Sequence, residues 1–116
     1  MALILCTGAN PVLMATRQLI LERSGHKVIS VNAQDALITA CNEHAFDVAV
    51  IGQALAAPVK KRVFSLIREH CPSAKVLELY TNSTNKVLEN ADSWLEAPVD
   101  VPQEFAERVN ALVVSK

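Results

Sequence analysis

Short apolar runs alternate along this chain with longer segments in which apolar residues recur every three or four positions. The runs cover residues 2–6, 27–31, 46–51, 75–80 and 93–96. Runs of this length are typical of strands, and the segments between them have the periodicity of amphipathic helices. Strands that alternate with helices indicate βαβ units and a parallel sheet. The unbroken sequence Val-Ala-Val-Ile at positions 48–51 predicts that the third strand is central and buried on both faces.

Residues that start and stop helices mark the boundaries of the helical segments. Pro11 fits the first turn of a helix over residues 12–23, and Gly25 is suited to its C-terminal cap. Asn32, with Asp35 three positions later, predicts the start of a second helix that ends at residue 43. A third helix is predicted over residues 58–70.

The chain between the fourth and fifth strands is short. Residues 82–85, Asn-Ser-Thr-Asn, have the composition of a turn, which leaves residues 86–89 at most one helical turn. Asp100 then predicts the N-cap of a last helix. Three apolar residues of that helix have the spacing of a core-facing stripe: Phe105, Val109 and Leu112.

Composition and charge narrow the class of protein. The 116 residues are enough for one domain with a full core, and 11 basic residues nearly balance 12 acidic residues. The longest basic run, Lys60-Lys61-Arg62, is expected to be a solvated helix face. We therefore expect neither nucleic acid nor an anionic membrane as a partner. No apolar run reaches the roughly twenty residues of a membrane span, so we expect a cytoplasmic protein.

The residues at the carboxyl ends of the strands are almost all uncharged. In an open parallel sheet the ligand crevice lies at these ends. Glu96 is the only carboxylate in this set, which comprises residues 7–9, 31–32, 51–53, 80–82 and 96–98. One carboxylate is a poor site for a divalent cation. We therefore expect no metal and no cofactor, and we expect no enzyme because no pairing of nucleophile and base is visible there.

The three cysteines, Cys6, Cys41 and Cys71, are an odd number in apolar surroundings, without the spacing Cys-x-x-Cys. This pattern favours buried, reduced thiols over a disulfide or a zinc site.

Five stretches of the sequence resemble the receiver domain of bacterial two-component response regulators. Residues 46–52 and 91–98 are similar to the family's third and fifth strands. Residues 35–37, Ile67-Arg68 and residues 102–105 are similar to parts of its second, third and last helices. The resemblance covers nearly the whole chain and implies a single domain over residues 1–116. It implies a flavodoxin-like α/β fold in three α/β/α layers, with a five-stranded parallel sheet of order 2-1-3-4-5 and a fourth helix that is shortened or missing.

The resemblance also locates the family's phosphorylation pocket, and most positions lack its chemistry. Gly8 and Ala9 replace the two acids that hold Mg²⁺, and Gly52 replaces the aspartate that accepts the phosphoryl group. Ala97 replaces the lysine that binds this group. Thr81 alone matches, because it supplies the hydroxyl that follows the phosphoryl group in receivers. Acylphosphate chemistry needs the missing carboxylate, metal and cation.

These replacements predict a phosphorylation-independent, receiver-like signalling domain that acts through contacts with a protein partner or a second copy of itself. A shortened fourth helix would uncover part of the surface that receivers use for docking. The candidate contacts there are Tyr80, Val87, Leu88 and Trp94. The sequence leaves equally open that Trp94, which matches the family's switch aromatic, folds inward to fill the space.

A small-ligand sensor is the alternative function. The strand ends offer hydrogen-bonding groups without charge, which suits a neutral polar ligand. The residues of this candidate crevice are Gly8, Asn10, Gly52, Gln53, Thr81 and Asn82. Asp47 lies at the other end of the third strand, and we expect it to be structural.

Overall fold

The computed structural model describes residues 2–81, 86–97 and 102–114. Its core is one five-stranded parallel sheet with the strand order β2-β1-β3-β4-β5. The strands are β1 (Leu3–Thr7), β2 (Lys27–Val31), β3 (Val48–Ile51), β4 (Lys75–Tyr80) and β5 (Ser93–Glu96). Both the flavodoxin-like fold and the order implied by the sequence are confirmed.

Helices cover both faces of this sheet. They are α1 (Pro11–Arg23), α2 (Gln34–Glu43), α3 (Ala57–His70) and α4 (Pro102–Val114). Alternate residues of β1 point to opposite faces: Leu5 joins the core beneath α2 and α3, whereas Ile4 joins the core beneath α1 and α4. Each face therefore has its own apolar cluster, which gives the predicted three layers. No helix in the described ranges is long and apolar enough to cross a membrane.

Local signals explain where two of the helices begin or end. The side-chain Oδ1 of Asn10 accepts hydrogen bonds from the amides of Val12 (3.0 Å) and Leu13 (3.2 Å), which caps the start of α1. Gly25 follows that helix with φ +92°, a left-handed conformation in which a residue without Cβ is favoured.

The prediction that Asn32 caps α2 is wrong. The N-cap residue is Ala33, and no side chain caps this helix. The helix begins at Gln34, so Asn32 lies one residue too early for its side chain to satisfy the first free amides. The predicted cap at Asp100 lies outside the described residues.

The segment between β4 and β5 contains no helix in its described part, residues 86–92, and four helices are present among the described residues. The predicted reduction of the fourth helix is therefore confirmed. The carboxylate of Glu78, in the middle of β4, accepts hydrogen bonds from the amides of Val87 (2.9 Å to Oε2) and Leu88 (2.9 Å to Oε1). This anchor holds the segment against the sheet where a helix would otherwise pack.

A buried ion pair completes the anchor and corrects the interpretation of the basic run. Lys60 Nζ lies 2.9 Å from Glu78 Oε2 and donates a second hydrogen bond to the carbonyl of Leu79 (2.8 Å). Both charged side chains are fully buried, whereas Lys61 and Arg62 are exposed. The prediction of a solvated face is therefore wrong for Lys60, because Lys60 lies on the side of α3 that packs against the sheet.

Candidate functional site

The positions that the resemblance matches to the family's phosphorylation pocket lie at the carboxyl ends of the strands. The amide of Gly52 donates to the carbonyl of Thr7 (3.0 Å), and the amide of Ala97 donates to the carbonyl of Tyr80 (2.6 Å). A Cβ placed on Gly52 would lie 3.3 Å from the Cα of Gly8. The two glycines are thus in close contact at the ends of β1 and β3, and Ala97 lies buried after β5.

The remaining pocket positions are less enclosed. Ala9 is exposed, and Thr81 is half-buried at the end of β4. Asn10, one of the residues of the candidate neutral-ligand crevice, uses its side-chain oxygen to cap α1. Asn82, another of them, lies outside the described residues.

Arg17 fills the space beside Gly52. A Cβ on Gly52 would lie 3.2 Å from Arg17 Nη1, and Arg17 Nη2 donates a hydrogen bond to Oε1 of Gln53. The guanidinium therefore lies directly beside the position that a side chain at residue 52 would take. Sequence reasoning missed this residue. One signal was present, because Arg17 continues the helical stripe of Leu13 and Ile20 at spacings of four and three.

The side chains around Arg17 are mostly apolar. Its partial burial lowers the pKa of the guanidinium from its ordinary value. The neighbouring thiol of Cys6 is almost completely buried, and this burial raises its pKa from 9.0 to about 12. The thiol is therefore neutral at physiological pH and does not balance the charge of Arg17. None of the ion pairs formed between described residues includes Arg17.

A cavity of about 190 Å³ opens beside Arg17, between α1 and α4 at the ends of the central strands. Its lining comprises Leu13, Thr16, Arg17, Ile20, Gln53, Leu79, Ala97, Pro102 and Phe105. A smaller cavity of about 50 Å³ lies on the other side of the sheet, where Thr7 and Gly8 meet α2 and α3. Gly8 and Gln53, both assigned to one crevice from the sequence, therefore line two different cavities.

Metal-binding side chains do not gather in this region. Within residues 2–81, 86–97 and 102–114, no three side chains of His, Cys, Asp or Glu are grouped so that they could hold a metal ion. Asp47 lies at the opposite end of the sheet, where its Oδ2 accepts a hydrogen bond from the amide of Leu3 (2.9 Å). This bond ties the start of β3 to the start of β1, which confirms the structural role expected for Asp47.

The candidate contact residues around the missing helix differ in exposure. Tyr80, Val87 and Trp94 are half-buried, but Leu88 is only 4% exposed and belongs to the core. The expected exposure of Leu88 is therefore wrong, because Glu78 holds its backbone against the sheet. Trp94 Nε1 donates to the carbonyl of Leu88 (2.9 Å), so the indole edge is turned toward this segment.

A lysine joins the two aromatic residues at this surface. Lys86 Nζ lies 5.5 Å from the ring centroid of Tyr80 and 5.3 Å from that of Trp94. Both distances are within the range of cation–π interactions. We call Tyr80, Lys86 and Trp94 the aromatic–lysine surface.

Comparisons with known proteins agree with this architecture. The structure is similar to that of NtrX from Brucella abortus, solved in complex with ADP, with a TM-score of 0.82 and 14% sequence identity. The match covers 97% of this chain and 26% of the NtrX chain, so the chain spans about a quarter of that protein.

Two shorter proteins match over nearly their whole length. A response regulator from Thermotoga maritima gives a TM-score of 0.75 at 20% identity, covering 99% of both chains. The receiver domain of the hybrid histidine kinase CckA gives a TM-score of 0.75 at 17% identity, covering 96% of this chain and 98% of that one. The fold is that of a receiver domain. No protein-family model matches this sequence, and no curated protein sequence matches it.

Proposed function

We propose that this chain is a phosphorylation-independent, receiver-like signalling domain that acts through protein contacts and is not an enzyme. The observation that carries the proposal is the guanidinium of Arg17 against Gly52. At the place where the resemblance to receivers puts the acceptor aspartate and its Mg²⁺, this chain has a glycine and a fixed positive charge.

The chemistry of phosphoryl transfer explains why this arrangement matters. A carboxylate must attack the phosphoryl donor, and a metal ion must neutralise the charge that develops. Gly52 offers no nucleophile, and the positive charge of Arg17 repels a divalent cation from the same position. Gly8 and Ala9, at the positions of the metal-binding acids, carry no charge to offset this repulsion.

The aromatic–lysine surface supports a role in protein contacts. Tyr80 and Trp94 are held by neighbouring residues yet remain partly accessible, and Lys86 beside them is exposed. Aromatic side chains that are already fixed lose little conformational entropy on binding, and they are frequent anchors of interfaces. We therefore propose this surface, with Val87 at its edge, as the contact for a protein partner or a second copy of the chain.

Sedimentation velocity and pull-down experiments test the proposed contact. Lys86→Glu reverses the charge between the two rings, so we expect it to reduce the dimer fraction, or the capture of the partner, at least tenfold. Lys61→Glu is the matched control, because Lys61 is an exposed lysine on α3. Adding Mg²⁺ and acetyl phosphate should leave the complex unchanged.

Three results would count against the proposal. One is equal loss of association in the two variants, and another is a strong dependence of association on the phosphodonor. A wild type that is monomeric and captures no partner would also exclude the contact function.

A further inference from the structure

The Arg17 cavity combines an apolar wall with one positive charge. Leu13 and Ile20 of α1 form one side, and Leu79 of β4 and Phe105 of α4 form the other. The polar groups come from Thr16, Arg17 and Gln53, the last two of which are joined by a hydrogen bond. A molecule in the cavity would therefore meet both apolar side chains and a small set of hydrogen-bonding groups around one guanidinium.

No carboxylate within residues 2–81, 86–97 and 102–114 forms an ion pair with Arg17. A guanidinium carries five N–H donors, and Gln53 is a neutral acceptor for one of them. Cys6 is a neutral thiol, and the ion pairs between described residues leave Arg17 out. Partial burial makes the charge of Arg17 unfavourable, and an anion that enters the cavity would offset this cost.

We propose that the Arg17 cavity binds a small organic monocarboxylate, with its carboxylate on Arg17 and its apolar body between α1 and Phe105. The planar fork of a guanidinium matches a carboxylate through two parallel hydrogen bonds. A single arginine in an apolar lining suits one negative charge better than the two charges of a phosphate.

The volume sets the size of the ligand. At about 30 Å³ for each water molecule, a cavity of 190 Å³ has room for roughly six waters. Bonded atoms are closer together than separate waters, so a molecule of about eight or nine non-hydrogen atoms matches this volume. Hexanoate and benzoate are in this range. Arg17 thereby changes the chemical class of the ligand from the neutral one of the alternative function to an anionic one. The inference does not rest on the proposed protein contacts, which lie at a different set of residues.

NMR titration of the ¹⁵N-labelled wild type tests the inference without any mutation. Benzoate should shift the amides of α1 and those around Phe105, and benzamide, which has the same shape without the charge, should bind at least tenfold more weakly. Inorganic phosphate separates a carboxylate site from a general anion site, and we expect it to shift these amides at least tenfold less effectively than benzoate.

Gln53→Glu is the decisive variant. The new carboxylate has nearly the same shape as the amide of Gln53 and should form an ion pair with Arg17. This ion pair should compete with benzoate and reduce its binding at least tenfold while the fold is kept. Arg17→Gln should have the same effect by removing the charge. Arg23→Gln is the matched control, because Arg23 is an exposed arginine at the end of the same helix.

The inference is overturned if benzoate and benzamide bind equally, if phosphate binds as well as benzoate, or if Gln53→Glu binds benzoate like the wild type. It is also overturned if benzoate shifts no amide near the cavity. None of these results depends on association through Lys86, so failure of this inference and failure of the proposed contact are separate outcomes.

Discussion

Replacing Lys60 with methionine tests whether the buried ion pair anchors the region of the missing helix. The change keeps an unbranched apolar side chain of four atoms and removes the ammonium group. Glu78 then retains its hydrogen bonds from the amides of Val87 and Leu88, but its negative charge loses its partner in a fully buried site. The carbonyl of Leu79 also loses a hydrogen-bond donor.

The magnitude follows from the cost of an uncompensated buried charge. Removing one partner of a buried ion pair typically costs about 3–5 kcal/mol of the free energy of unfolding. This is a large part of the roughly 5–15 kcal/mol that stabilises a typical domain. With a urea dependence of about 2 kcal/mol per molar, a loss of about 4 kcal/mol lowers the midpoint of unfolding by about 2 M.

Urea denaturation followed by circular dichroism is the assay. Lys61→Met is the matched control, because the exposed Lys61 should contribute within about 0.5 kcal/mol. The double variant Lys60→Met with Glu78→Gln removes both charges and should lose less stability than the sum of the single variants, since the two residues are in contact. Equal midpoints for Lys60→Met and Lys61→Met would refute the reasoning.

Three further predictions concern Gly52, the cap of α1 and the buried thiol of Cys6. Gly52→Asp should show no gain of a phosphoryl group by intact mass after treatment with acetyl phosphate and Mg²⁺. Its carboxylate would lie beside Arg17, and its Cβ would lie only 3.0 Å from the carbonyl oxygen of Thr7. Robust labelling would contradict this prediction. Asn10→Ala removes the cap of α1 and should lower the free energy of unfolding, measured in urea, by about 1 kcal/mol. Asn32→Ala should not, because no side chain caps α2. Equal losses in the two variants would argue against the assignment of the cap to Asn10. Burial raises the pKa of the Cys6 thiol to about 12, while the unfolded thiol ionises near pH 9.0. The unfolded state therefore binds fewer protons above pH 9, and stability, complete below that pH, should fall by about 1.4 kcal/mol per pH unit from this thiol as the pH rises toward 12. Urea midpoints that decline no less steeply in Cys6→Ala would contradict this cause.

The elements of the fold could be predicted from the sequence because the core imposes strong periodicity on it. The run at 48–51 is apolar without interruption, and the structure buries all four of these residues between two layers of helices. Gly25 and Pro11 marked the end and the start of α1 by simple backbone geometry. The shortened segment after β4 was predictable from the number of residues available, not from any contact.

The charged residues inside the molecule could not be placed in the same way. Lys60 opens a run of three basic residues, and periodicity alone does not say which of them faces the sheet. Glu78 did offer a signal, because an acid within a buried parallel strand requires a partner. The partner itself depends on how α3 packs against β4, which is tertiary information.

Arg17 shows the same limit at the candidate site. Its position on α1 was predictable, but a long side chain can lie along the helix toward solvent or toward the sheet. Only the packing of α1 beside Gly52 and Gln53 directs it into the crevice. The residues at the strand ends predicted an uncharged site, whereas the structure places a positive charge there.

Treatment of the wild-type chain with Mg²⁺ and acetyl phosphate, followed by intact-mass measurement and amide NMR, tests the central claim most directly. With Gly52 in place of the acceptor and Arg17 beside it, we expect neither a gain of mass nor shifts of the amides near residues 8, 52 and 81. A stable gain of one phosphoryl group on an aspartate, accompanied by shifts at the ends of the strands, would contradict the account.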